Sequence, residues 1–328
     1  IATGYVKSGR LITETSEPDM ETHSANHPLI SWSDIGNLIG LPILTLISSL
    51  LPNSGLTNFC QVAARINAAM LISDQEHLAH QIENLVGERS LSLPAKDIPN
   101  AVAAEDLLAL CNTLRTHWTH NWEGIVKIHG LNFLDAALKK GNGAVLWRAH
   151  FVHYAIPYYK ALADQGFEYT HLSHIRHGFS NTRFGIRYLN PIRTSAENRF
   201  IPERVERTNL APTAALRALY RRLDSNGIIS IATRGNADQF VETPFFDGTH
   251  KIAPGGPHLA YARDAALLPV FPIRLADGSH EIHILPPIEL NKNAPRRAEI
   301  ERTAIVFANM LENYVIRYPS QWLGWMHL

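Results

Sequence analysis

Histidines 150 and 153 stand in the stretch AHFVHYAIP (149–157), one residue past the apolar run GAVLW. That run follows Gly141-Asn-Gly143 and predicts a buried strand. His150 then sits just past a strand's carboxyl end, where open α/β sheets place their ligands. A neutral imidazole there can take a proton from an attacking hydroxyl or amine. A satisfied structural histidine is the competing reading. His153 is the second catalytic candidate, as a group that could orient His150.

A second constellation is cationic. Arg176, Arg183, Arg187 and Arg193 punctuate SHIRHGFSNTRFGIRYLNPIR, which follows the strand-like FEYTHLS. Guanidinium forks bind phosphate at two points, which suits a glycerophosphate, a phosphorylated sugar or phosphopantetheine. A solvated basic face is the alternative. A third piece, IATRGNADQF (231–240), offers Arg234 at a strand's carboxyl end as an anion contact, with Asp238 close behind.

The elements that must position these groups alternate. From Ile125 onward the chain reads strand, helix ending at Gly141-Asn-Gly143, buried strand, helix through Tyr158–Ala163, and strand FEYTHLS. Further on come the helix LRALYRRLD, the strand GIISIAT, an apolar strand, a turn at Asp277-Gly278, an alternating strand and a C-terminal helix over Glu299–Tyr318. This pattern predicts a central mixed, largely parallel sheet flanked by helices, with an antiparallel hairpin near the end. Helical spacing over Leu56–Gly87 and Ala104–Trp122 predicts an N-terminal helical segment, with Trp118 and Trp122 on one face. The expected division is a polar tail over 1–28, a helical part over 29–124 and an α/β core over 125–328, all in one continuous domain.

Composition narrows the function classes. Thirty basic and 30 acidic residues leave no net charge, so no long-range field favours nucleic acid. Two cysteines are too few for a disulfide scaffold, and they suggest a cytoplasmic protein. The 17 histidines show no H-E-x-x-H or similar spacing, so no metal site and no cofactor are expected. The run Ile35–Leu51 carries no charge, but Pro42 sits inside it. It reads either as a pair of core helices or as a segment dipping into a membrane surface.

The stretch VKIHGLNFLDAALKKGNGAVLWRAHF (126–151) resembles the lead-in to the active site of the lipid A late acyltransferases. These belong to the lysophospholipid/glycerol-phosphate acyltransferase superfamily. Two later blocks, ETPFFDGTHKIAPGGPHLAYARDAALLPVFPIRLADG and the closing YPSQWLGWMH, are similar to family blocks and stand in the family's order. The resemblance spans roughly residues 30–328. It implies the acyltransferase-like α/β fold, His150 as general base, and an acyl-carrier protein or acyl-CoA as donor. It also implies a phosphate contact by an arginine, Arg176 matching best and Arg183 and Arg187 next. The site would lie in the cytoplasm, at the inner face of a membrane.

One departure is sharp. The family motif is H-x-x-x-x-D/E, and the fifth residue after His150 is Ala155. Losing a comparable acid in a hydrolase triad costs about 10⁴ in turnover. His153, Asp238, Glu242 and Asp247 are the candidates to replace it. An amine or hydroxylamine needs less help from a base than a sugar hydroxyl does, so the gap points toward such acceptors. Three readings follow: a membrane-lipid acyltransferase, a biosynthetic transferase with an aminoacyl or short acyl donor and a soluble acceptor, or a non-catalytic lipid- or carrier-binding relative. An aminoacyl-tRNA stays open as a donor.

Overall fold

The computed structural model describes residues 28–328 except 71, 121, 154, 175–176, 208–211 and 235–238. The expected polar tail therefore lies, but for Pro28, outside the described residues.

Helices α1 (Trp32–Leu50), α2 (Asn53–Met70), α3 (Ile72–Val86) and α4 (Ile98–Thr119) come first. They lead into β1 (Val126–His129), α5 (Leu131–Lys139), β2 (Ala144–Arg148), α6 (Ile156–Asp164) and β3 (Tyr169–His174). A π-helical turn, Gly185–Leu189, runs into α7 (Asn190–Glu197), followed by β4 (Glu203–Arg207), α8 (Pro212–Asp224) and β5 (Ile228–Ala232). Then come β6 (Val241–Phe245), β7 (Gly248–Ile252), α9 (Gly255–Arg263), β8 (Ala266–Arg274), β9 (His280–Ile284) and α10 (Arg296–Arg317).

Among the described residues the main sheet runs β1-β9-β8-β2-β5-β3-β4. Every neighbouring pair is parallel except β8–β9, which closes through the turn at Asp277-Gly278. The fold is thus the mixed, largely parallel α/β sheet that the alternating pattern predicts. Strand β2 is buried along its whole length, because helices cover both faces of the sheet. On one face Val145 and Trp147 pack with α3, α9 and α10; on the other, Ala144 and Leu146 pack with α5 and α6.

The N-terminal helices form their own apolar cluster, in which Leu41, Leu44, Leu56, Cys60, Leu108 and Cys111 meet Leu189 near α7. Ser31 and Asp34 build a reciprocal capping box at the start of α1. At the other end Arg115 of α4 donates to the carbonyls of Ser48 and Leu51 at 2.6 and 2.7 Å. Carbonyls that a helix end leaves over are satisfied in this way. So held, α1 is one helix that runs through Pro42, not the pair of helices that the proline suggested. Trp118 and Trp122 do not share a helix face. Helix α4 stops at Thr119, His120 turns left-handed, and Trp118 is exposed while Trp122 is buried.

Candidate functional site

The site is built where β2, β5 and β8 deliver their carboxyl ends. Past Arg148 the chain stays extended: the Ala149 amide donates to Val270 of β8 at 2.8 Å. The next residues pair with the end of the chain. Phe151 bridges Trp322, the Val152 amide donates to Gln321 at 2.7 Å, and the Leu323 amide donates to the His150 carbonyl at 3.3 Å. Gln321 locks this segment to β8, because its side-chain amide accepts from the Arg274 amide and donates to the Arg274 carbonyl, both at 2.7 Å. Trp322, Phe245 and Trp325 fill the space below, and Trp325 donates to Pro319 at 2.8 Å. The segment Pro319–His327 therefore forms a wall of the site and carries His327 toward His150.

Among the described residues, His327, Arg148, Arg234 and Arg193 act on His150 in addition to its burial. Burial first, then these groups, depress its imidazole to about 3, so it is neutral at any physiological pH. His250 of β7 is likewise depressed to about 3 by burial, Arg234 and His327. Burial, together with Arg234, also lowers His327. Arg234 follows β5, where the Thr233 amide donates to the Arg148 carbonyl at 2.9 Å. Arg148 is almost fully buried, and its guanidinium lies 4.9 and 5.3 Å from the ring centres of Tyr158 and Tyr159. Such a site, with neutral imidazoles among guanidinium groups, suits an anionic ligand.

Position 155 holds a buried alanine at the N-cap of α6. Glu242, Asp247 and His153, the described candidates for the missing acid, have their own partners. Glu242 accepts from Thr249 at 2.8 Å, and Asp247 pairs with Arg89 at 2.5 Å. His153, 2% exposed, gives its Nε2 to Glu105 of α4 at 2.6 Å, and its ring packs edge-on against His280. Burial would raise the Glu105 carboxyl, but the contacts from His153 and Arg274 hold it below its ordinary value.

The arginine-rich stretch divides. Arg193, with His177 and Arg204, converges on the fully buried Glu197 at 2.7 to 3.2 Å. Burial pushes against the charge on Glu197, yet His177, Arg193 and Arg204 keep the carboxyl well below its ordinary range. Arg183 and Arg187 are exposed instead, and they line a shallow depression with Leu29, Ile30, Phe184 and Tyr188. Arg176 and Asp238 lie outside the described residues.

Sequence reasoning named His150 and Arg234 but passed over Arg148, His250, His327 and Glu105. Arg148, His250 and His327 all stood inside quoted blocks, whereas Glu105 lay outside them. Arg148 is adjacent to the strand GAVLW and looked like its polar end, whereas His250 and Glu105 come from distant elements without a local pattern.

No curated protein matches the chain. Residues 29–328, nearly the whole sequence, match the family described as bacterial lipid A biosynthesis acyltransferase. With a match of that extent, the chain belongs to the bacterial lipid A biosynthesis acyltransferase family.

Proposed function

We propose that this acyltransferase moves an acyl group from a thioester, carried by an acyl-carrier protein or coenzyme A, to an amine or hydroxyl acceptor, with His150 as general base. The observation that carries this reading is the position of His150 just past the carboxyl end of β2, where burial and the charges of Arg148, Arg234 and His327 favour the neutral imidazole. In the transfer, the acceptor's N or O forms a bond to the thioester carbonyl carbon while the C–S bond breaks. The acceptor's proton passes to the imidazole and from there to the departing thiolate. Backbone N–H groups at the start of α6 would hold the carbonyl oxygen as it gains charge.

An imidazole depressed to about 3 is a weak base by itself. An anionic substrate group between Arg234 and Arg148 would offset their charge and make His150 more basic once the ligand is bound. In this reading the substrate's phosphate does part of what the family's carboxylate does. The absence of an acid at Ala155 favours an amine or hydroxylamine acceptor over an alcohol.

The reading places the protein at the inner face of a membrane through α1. This helix is long and apolar enough to cross a bilayer, yet only 28% of it is buried. Trp32, Ile39, Leu46 and Leu50 are each more than 60% exposed along it. An uncharged helix face of that kind fits an interfacial bilayer contact. Arg183 and Arg187 stand beside its N-terminal end, where anionic headgroups would lie.

The test is thiol release from acyl-coenzyme A and acyl-carrier protein, for the native protein and His150→Ala, against matched amines and alcohols. Acceptor-dependent release should fall by about 10²- to 10⁴-fold in the variant. Equal release from both proteins would refute the assignment of His150, and preference for the alcohol would refute the amine.

A further inference from the structure

At the sheet edge formed by β1 and β9, three potential ligands converge in a place the sequence could not announce. Strands β1 and β9 pair in parallel, with His129 opposite His283 and Lys127 opposite Glu281. Side chains two apart on a strand share a face, so Glu281 and His283 point the same way and His129 meets them from the neighbouring strand. His129 Nε2 lies 3.3 Å from Glu281 Oε1, and His283 Nε2 lies 2.8 Å from Glu281 Oε2. The three ligand atoms all fall within 4.8 Å of one another.

We propose that His129, Glu281 and His283 form a binding site for a divalent ion of the zinc class. Two imidazoles and a carboxylate are a recurrent donor set for such ions, with bonds of about 2.0–2.2 Å. Tetrahedral bonds of that length set neighbouring ligand atoms about 3.3 Å apart, by the same geometry. His129 Nε2 stands at that distance from one oxygen of Glu281 and His283 Nε2 at 2.8 Å from the other, so the carboxylate turns to present one oxygen to both rings when an ion is bound.

The surroundings match a ligand role. His283 Nδ1 is 2.8 Å from the Tyr314 hydroxyl, and the Tyr314 ring stacks on Phe271 with centroids 4.0 Å apart. A bond at the second nitrogen fixes the ring of a metal-binding histidine and leaves Nε2 for the ion. His129 is half exposed, so water or a small ligand can take a fourth position. Strand β8 separates β9 from β2, so this site stands apart from His150. Its physical effect is to tie the edge strand β1 to β9, where an unguarded edge invites pairing with other chains.

Calorimetric titration of the metal-free full chain with Zn²⁺ tests the proposal, together with thermal melting and with Co²⁺ as a spectroscopic probe. The native protein should bind one equivalent at this site. At a hundredfold excess over Kd its melting midpoint should rise by about 5 °C. Bound Co²⁺ should show the visible bands of a four-coordinate site. His129→Ala should weaken binding at least about tenfold and remove those bands. Because His129 is half exposed, that variant should melt like the native protein without metal. His129→Ala carries the test if His283→Ala does not fold. A native protein that takes up no Zn²⁺, or a His129→Ala protein that binds it as tightly, would overturn the proposal.

Discussion

The His153 ring and the Glu105 carboxylate meet at 2.6 Å, and this bond ties α4 to the loop after β2. Arg274, at the end of β8, reaches the same carboxylate at 3.2 Å and holds Thr57 of α2 with its other nitrogen. The helical N-terminal part and the sheet are thus joined through one acid. His150, three residues earlier, answers to a different set of groups. Two neighbouring histidines therefore serve separate purposes.

Glu105→Ala should for this reason be mainly a stability variant. It leaves His153 and Arg274 without their shared anion, and breaking a buried pair costs about 3–5 kcal/mol. Because the Glu105 side chain keeps 20% of its surface, the lower end of that range is expected. Urea denaturation would show the midpoint fall. A variant that melts like the native protein but loses acyl transfer would mean that Glu105 belongs to the chemistry instead.

Arg234→Ala should raise the KM for an anionic donor or acceptor by about 10- to 100-fold, the worth of a charged hydrogen bond. It should also move the pH profile. Arg234 is one of the charges that depress His150, so its removal lets the imidazole rise toward its ordinary value. The low-pH limb of kcat/KM should shift upward in the variant. A changed KM with an unmoved limb would separate substrate binding from any influence on His150.

Acid should destabilise the fold before any carboxylate titrates. Burial depresses His150 to about 3 and holds His171 and His280 well below the ordinary 6.5. An unfolded chain protonates these rings near 6.5, while the folded chain does not, so protons favour unfolding. Stability is complete above that value and declines below it, by up to about 1.4 kcal/mol per pH unit for each such ring. Glu105 and Glu197, with lowered carboxyls, add to the loss only below about 4.5. Urea midpoints that stay flat between pH 6.5 and 5 would contradict the buried neutral rings.

Ile39→Ser and Leu46→Ser should weaken binding to anionic vesicles by about tenfold each, since burying one large aliphatic side chain is worth about 1.5–3 kcal/mol. Both residues are more than 60% exposed, so the urea midpoint should hardly change. Vesicle sedimentation measures the effect. Unchanged sedimentation would remove α1 as the membrane contact.

How far the sequence foretold all this depended on how local each signal was. Strands β2, β5 and β8 were readable because burial on both faces demands unbroken apolar runs. Strand β4 was not, since its sequence ERVER is that of a charged edge and shows no apolar alternation. Phe246 and Asp247 turn the chain between β6 and β7, with Phe246 at φ 51, and β7 starts at Gly248. Spacing found His150 because a strand end is a local feature. Spacing also grouped Arg183, Arg187 and Arg193, which tertiary structure separates, Arg193 turning to Glu197 while Arg183 and Arg187 face outward. His250 and His327 reach the site through sheet order and chain return, which no window of sequence displays.

The place of β2 in the sheet bears on how the chain comes into being. Its neighbours are residues 228–232 and 266–274, so a growing chain makes β2 long before it makes either partner. Until then a strand apolar on both sides has nothing to cover it, and long-range parallel pairing is slow to form. Of the groups that act on His150, His327 is made after the others, with the segment Pro319–His327. The surroundings of His150 are therefore completed only after residues 319–327 have been made and have folded back onto β2, long after β2 itself.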